Sequence, residues 1–348
     1  MLQKPKNILK TYICADFEPY GKRHIDKEQF LPSVAYMRDG KIKDFMFDSF
    51  IFLSSPNYVY DFSRQGAPKK EKTKENWLDF LHREEFAEGK NIDALNAAVG
   101  DAKKALNNKD YKANVFLTLF YPVSTVKDFG EVNGKRLDFS VREEQITALK
   151  WYVDEAVKTF KHRNYENVNL AGFYWFHESV RNTDDTAIHH ALTDYVRSLG
   201  YITLWGPYFG ARGHDFWQSE CAFDMVAMQA NYFPGSPGLP NCGTVERLKQ
   251  VAEITKANNM GVELEWAGEV GNTVTATGFK QYMKAGIDYG FINNYHYFFM
   301  MHGPVVLKDI FCSDDTYTRS VYDELYAFLK GTLKENDIIL NEATECCK

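Results

Sequence analysis

The chain has no run of about 18 apolar residues, and Met1 to Lys10 lacks the apolar stretch of a secretion signal. It therefore reads as a soluble protein without a membrane span, its compartment left open because signal segments are removed on maturation. Cysteine is sparse: six in 348 residues, with no CxxC, no Cys/His cluster and no HExxH. That excludes a disulfide framework and the usual zinc sites. The vicinal Cys346-Cys347 pair lies at the extreme C-terminus, where fraying and strain both oppose a disulfide. No GxGxxG follows the first apolar run and no GxxxxGK[ST] occurs anywhere, so the dinucleotide and P-loop readings fail. No metal or cofactor is expected. Basic runs are also missing; Lys69-Lys70-Glu71-Lys72 comes nearest, as a solvated loop, and the net charge of −6 argues against nucleic acid as partner.

Aromatic residues are plentiful: 21 Tyr, 26 Phe and 6 Trp make up 15 % of the chain. Aromatic faces are what sugar rings stack on, although for any one ring a place in the core is the commoner use. Eight short runs rich in Val, Ile, Phe and Tyr recur: Leu9–Ala15, Asp44–Leu53, Asn114–Phe120, Leu170–His177, Tyr201–Gly206, Met225–Ala230, Gly261–Trp266 and Gly290–Tyr295. Near-continuous apolar strands alternating with helical patterns indicate a parallel sheet buried on both faces, and eight units favour a closed (β/α)₈ (TIM) barrel, an α/β fold. One barrel domain is expected over residues 1–348, with a tail from about 331.

Local signals agree. Ser140-Val-Arg-Glu143 has the form of a capping box, followed by a helical stripe from Ile146 to Phe160. Thr244 opens a helix through Lys256, another runs from about Asp185 to Ser198, and Asp314-Asp315 reads as a helix N-terminus. Two segments break the rhythm, an insertion at residues 54–112 after strand two and a hairpin at Asn133-Gly134 after strand three.

Barrel chemistry collects at the C-terminal ends of the strands. By that rule the expected ring comprises Asp16 and Glu18 (strand one), Tyr121 (three), Glu178 (four), Trp205 and Tyr208 (five), and Gln229, Asn231 and Tyr232 (six). Strand seven adds Glu263, Glu265 and Trp266, and strand eight Asn294, Tyr295 and His296. Hydrogen-bonding groups interleaved with stacking platforms suit a sugar. Gly172-Phe-Tyr-Trp-Phe-His-Glu178 delivers a carboxyl group where a strand leaves the barrel; a salt bridge to Arg181 or a helix cap is the structural alternative. Glu263 and Glu265 share one face of their strand, and buried carboxylates need partners or a purpose. Glu265, nearer the C-terminal end, is the expected nucleophile, with Glu263 one layer deeper. His177 is expected on the face opposite Glu178, and His302 in a loop.

Four segments, Gly172–Ser179, Trp205–Gly213, Phe223–Phe233 and Gly261–Glu265, occur in the order found in the bacterial domain-of-unknown-function family 4855, which this chain resembles from about Lys10 to Leu329. That family is common in polysaccharide-degrading gut bacteria and is grouped with glycosidase-type barrels. The similarity holds at Glu178, Gln229, Asn231, Glu263 and Glu265; Ala230 stands where the family carries proline, and Trp266 where it carries an acidic residue. The resemblance implies a barrel and a reaction class, with no substrate attached.

Two functions fit these observations, and a third fits less well. In a retaining glycoside hydrolase, Glu178 is general acid/base and Glu265 (or Glu263) the nucleophile. A catalytically silent barrel would bind a glycan or a partner protein without turnover. A metal-dependent hydrolase would want HxH on strand one, where Tyr12-Ile-Cys-Ala-Asp16 offers none. The hydrolase is the leading expectation, and an extracytoplasmic location would follow from it.

Overall fold

The computed structural model describes residues 4–13, 24–53, 73–232, 243–300 and 303–340. Asp16, Glu18, His302 and the Cys346-Cys347 pair lie outside these residues. Eight parallel strands close a barrel in the order β1 (Asn7–Tyr12), β4 (Ser49–Leu53), β5 (Ala113–Leu119), β8 (Val168–Trp175), β9 (Ile202–Trp205), β10 (Met225–Gln229), β11 (Gly261–Trp266) and β12 (His296–Met300). All of β4, β10 and β11 is buried, which accounts for their unbroken apolar sequences: barrel strands meet side chains inside and helices outside. Two antiparallel hairpins stand apart from the barrel, β2 (Ala35–Arg38) with β3 (Lys41–Phe45), and β6 (Gly130–Val132) with β7 (Lys135–Leu137). The second turns at Asn133-Gly134, where φ values of 53° and 82° are those a two-residue hairpin turn demands.

Among the described residues the α-helices are α1 (Lys27–Val34), α2 (Lys74–Asp79), α3 (Ile92–Leu106), α4 (Arg142–Arg163), α5 (Thr183–Ser198), α6 (Val245–Ala257), α7 (Thr273–Asp288), α8 (Pro304–Phe311) and α9 (Thr316–Leu329). The N-termini of α5 and α9 are held by side chains: Asn182 accepts from the Asp185 amide, and Asp315 from the Tyr317 and Thr318 amides. The Ser140–Glu143 capping box does not form. Val141 is the N-cap of α4, and the Ser140 hydroxyl donates to Asp138, whose carboxylate out-competes the helix end for it.

The last barrel strand is displaced from its expected position. Phe291–Asn293 forms a 3₁₀ turn, and β12 starts at His296, pairing with Asn7 of β1 and Val262 of β11. Most of the aromatic content is core. Trp77 packs against Phe120, Phe129, Phe139 and Tyr152, and Trp77, Trp175, Trp205 and Trp266 are all fully buried.

Candidate active site

Three carboxyl groups gather at the C-terminal mouth of the barrel. Glu263 projects inward from the middle of β11, and its Oε2 lies 2.5 Å from Nζ of Lys10 on β1. Both are almost completely buried. The ammonium also lies 5.0 Å from the centroid of the Tyr174 ring on β8. The pair can approach because the chain opposite it, just past β9, is Gly206. A Cβ there would come within 2.6 Å of the Tyr174 hydroxyl and 3.1 Å of the Lys10 Nζ. The Gly206 carbonyl accepts a 2.9 Å hydrogen bond from Nε2 of Gln229, at the end of β10.

Glu265, one layer nearer the mouth, is held firmly. Its Oε2 accepts from the backbone N–H of Asn231 and from the hydroxyl of Tyr282 on α7, both at 2.6 Å. Asn231 is itself fixed. Its φ of 48° is left-handed, a conformation asparagine tolerates, and its side-chain oxygen accepts from the Phe209 N–H. Buried Arg247 donates to the Ala230 and Asn231 carbonyls, which secures the turn out of β10. Tyr232 packs edge-on against Tyr282. A mostly apolar cavity of about 50 Å³ abuts Glu265, bounded by Tyr232, Ala267, Thr275, Gly278 and Tyr282.

Glu178 sits three residues beyond β8, partly buried, and is hydrogen-bonded to the Gln229 side chain. The bridge to Arg181 does not form: the Arg181 guanidinium lies over the Tyr121 ring, 4.8 Å from its centroid, and its amide donates to Asp185. Burial raises Glu178 above the usual carboxyl range, opposed by the Gln229 bond and the Lys10 charge. Burial pushes Glu265 up to about 7, against the bonds from Tyr282 and Asn231. Glu263 is pushed up by burial and pulled back by Lys10. The charge on Glu178 raises both strand-seven glutamates, so the three groups lie within one another's fields.

The expected residues divide into three sets. Glu178, Gln229, Asn231, Tyr232, Glu263 and Glu265 come together at the mouth, with Tyr121 and Tyr208 half-buried on its rim. Trp205 and Trp266 do not join them as platforms. The Trp205 indole donates to the His177 carbonyl and stacks on Phe223, while Trp266 packs outward against Phe279 of α7. Strand alternation explains Trp266: it must point the opposite way from Glu265. Asn294, Tyr295 and His296 are corrected by position. They precede or open β12 and so lie at the other end of the barrel, where the Tyr295 hydroxyl bonds Val226 and His296 packs among Phe291, Phe298 and Phe328. His177 turns its ring to Tyr121, with Nδ1 at 2.6 Å from the Ser179 carbonyl.

Lys10, Tyr12, Tyr174 and Tyr282 complete the site without having been singled out from the sequence. The signal for Lys10 was present: it is the one charge in the run Ile8-Leu9-Lys10-Thr11-Tyr12, subject to the same argument as Glu263. Among the described residues no group of three or more His, Cys, Asp or Glu is arranged to hold a metal ion, and no helix is long and apolar enough to cross a membrane.

The sequence pattern of a family described as "Domain of unknown function (DUF4855)" matches residues 19–327. The chain belongs to this family. Both strand-seven glutamates and Glu178 fall inside the matched span of this DUF4855 chain, whereas Lys10 precedes it. No curated protein sequence matches. Among solved structures the chain is similar to the ICChI chitinase from Ipomoea carnea, at 12 % identity and TM-score 0.41 over 91 % of this chain and 99 % of that one. A GH113 beta-1,4-mannanase gives 10 % and 0.45 over 94 % and 99 %. Malate synthase from Haloferax volcanii gives 7 % and 0.41 over 88 % and 74 %.

Proposed function

We propose that this DUF4855 protein is a glycoside hydrolase that cleaves a poly- or oligosaccharide with retention of configuration, using Glu178 as general acid/base and Glu265 as nucleophile. One observation carries the reading. Two carboxyl groups, Glu265 buried and Glu178 partly so, lie within each other's field at the mouth of a barrel, and each is held in a different way. Glu265 has one oxygen fixed by a hydroxyl and an amide, while Glu178 rests on a side-chain amide after the strand. Glycosidic cleavage needs such a division of labour.

The first step transfers the Glu178 proton to the glycosidic oxygen while a Glu265 carboxylate oxygen bonds to the anomeric carbon. The C–O bond to the leaving sugar breaks, and a glycosyl ester remains. In the second step the Glu178 carboxylate takes a proton from water, the water oxygen attacks the anomeric carbon, and Glu265 leaves as carboxylate. Nothing beyond water and the glycan is consumed. Tyr208, half-buried beside the end of β10, would meet the sugar, whereas Tyr121 is taken up by Asp185, Arg181 and His177; the cavity beside Glu265 offers room for one small substituent.

The test is reducing-end release across a panel of neutral polysaccharides, with product configuration read by proton NMR before mutarotation. Wild type should turn over at least one glycan with retention, and Glu178→Gln and Glu265→Gln should each lose at least about 10³-fold in kcat while folding normally. Turnover persisting in either variant removes that residue from its role. Glycan binding without turnover by wild type would make the protein a non-catalytic glycan-binding barrel.

A further inference from the structure

The mouth of the barrel holds three carboxyl groups and one ammonium among its described residues. A two-carboxylate reaction uses only two of the three, which leaves Glu263 to be accounted for. Its surroundings differ from those of the other two. Glu263 meets Lys10 at 2.5 Å with both side chains nearly inaccessible to water, and the Gly206 backbone and Tyr174 close over the contact. Breaking such a pair would strand a charge in the core, so it behaves as a unit. Lys10 also acts electrostatically on Glu178 and on Glu265, so a single cation serves all three carboxyl groups.

We propose that Lys10 is a positioning residue that takes Glu263 as its ion-pair partner, withdrawing Glu263 from the reaction and leaving Glu178 and Glu265 to divide one proton between them. This inference rests on the hydrolase reading for its use, but the charge arrangement itself does not depend on turnover. With Lys10 and Glu263 cancelling, the remaining dyad has the composition a retaining enzyme starts from, one acid and one carboxylate. Among the described residues the other titratable groups facing the pair are phenols: Tyr12 on β1, Tyr174 on β8, Tyr282 on α7 and Tyr297 on β12. Burial raises each of them, so they stay neutral and leave the balance to the lysine and the three glutamates.

The experiment is a double-mutant cycle on the whole protein with two readouts, carbon-13 NMR titration of labelled glutamate carboxyl groups and the pH profile of kcat. Lys10→Met removes the cation. The Glu178 and Glu265 titrations should move up by about one unit or more, and kcat at the wild-type optimum should fall at least about tenfold with KM within about twofold. Glu263→Gln leaves the cation unopposed, and both titrations should move down. The double variant Lys10→Met/Glu263→Gln removes equal and opposite charges and should return the titrations and the pH optimum to within about half a unit of wild type. A merely structural role for Lys10 would lower activity without this opposed movement and rescue.

The proposal is overturned if Lys10→Met leaves the titrations in place, or if the double variant fails to restore them. If Lys10→Met alone does not fold, the folded double variant decides: wild-type titrations support the proposal, displaced ones overturn it. If wild type turns over no glycan, the hydrolase reading falls while the titrations still decide the role of Lys10.

Discussion

Glu265 owes its fixed orientation to two donors of different origin, a backbone amide at the exit of β10 and a phenol from a helix on the outer layer. Both favour its anion. Replacing Tyr282 by Phe leaves the ring packing and removes one donor, so the Glu265 titration should move further up. The acid limb of the activity profile should follow it upward, and kcat/KM at pH 6 should fall about tenfold, or about 1.4 kcal/mol. A Tyr282→Phe profile superimposable on wild type would show that the Asn231 amide suffices. The two kinds of residue also differ in how visible they are in the sequence. Glu263 and Glu265 stand out because charges two apart in a buried strand have no ordinary explanation. Tyr282 sits mid-helix among Gln281 and Met283, where a tyrosine fills a core position in most proteins, and only the three-dimensional path of β11 and α7 brings its hydroxyl to Glu265.

At the scale of elements, periodicity located six of the eight barrel strands to within a few residues, ran the second (Asp44–Leu53) together with the end of the β2–β3 hairpin, and misplaced the eighth. The misreading has a physical source: Phe291-Ile292 is apolar and follows a glycine, as a strand start would. In the protein Gly290 takes φ 81°, a 3₁₀ turn follows, and Phe291 packs against His296. Apolar character alone does not separate a packed turn from the strand after it. A prediction follows for His296, which the shifted strand carries to the end of the barrel remote from Glu178. It is enclosed by aromatic rings, and burial pushes it down to about 4, so it is neutral at pH 7. His296→Leu should leave kcat/KM within about twofold of wild type, since nothing at the mouth touches it. A loss above about tenfold in a variant of wild-type stability would return His296 to the site.

At the scale of the whole molecule, two populations of buried titratable groups pull stability in opposite directions. Burial lowers three histidines, His177 and His296 to about 4 and His189 to about 3, from an ordinary 6.5. Between the folded values and 6.5 the unfolded chain binds their protons and the folded protein does not, so stability is lost as pH falls below 6.5. Burial raises Glu265 to about 7, and raises Glu178 and Glu85 as well, from an ordinary 4.5. Here the folded protein holds the extra protons, so stability is lost as pH rises above 4.5, the Glu265 share of the loss being complete above about 7. In the window between 4.5 and 6.5 the two slopes oppose each other. Of these two populations only the histidines act below it, where carboxylates held down by hydrogen bonds, such as Asp44, Glu144 and Asp315, add to the loss, and only the raised carboxyl groups act above it. The urea midpoint should therefore be nearly flat from about pH 4.5 to 6.5 and fall on either side. Glu265→Gln should flatten the alkaline side, regaining on the order of 3 kcal/mol at pH 8, and His296→Leu should flatten the acid side by a similar amount at pH 3.5. A midpoint that climbs steadily from pH 5 to 8 would mean that the mouth carboxyl groups are ionised throughout, which removes the general acid from the proposed mechanism as well.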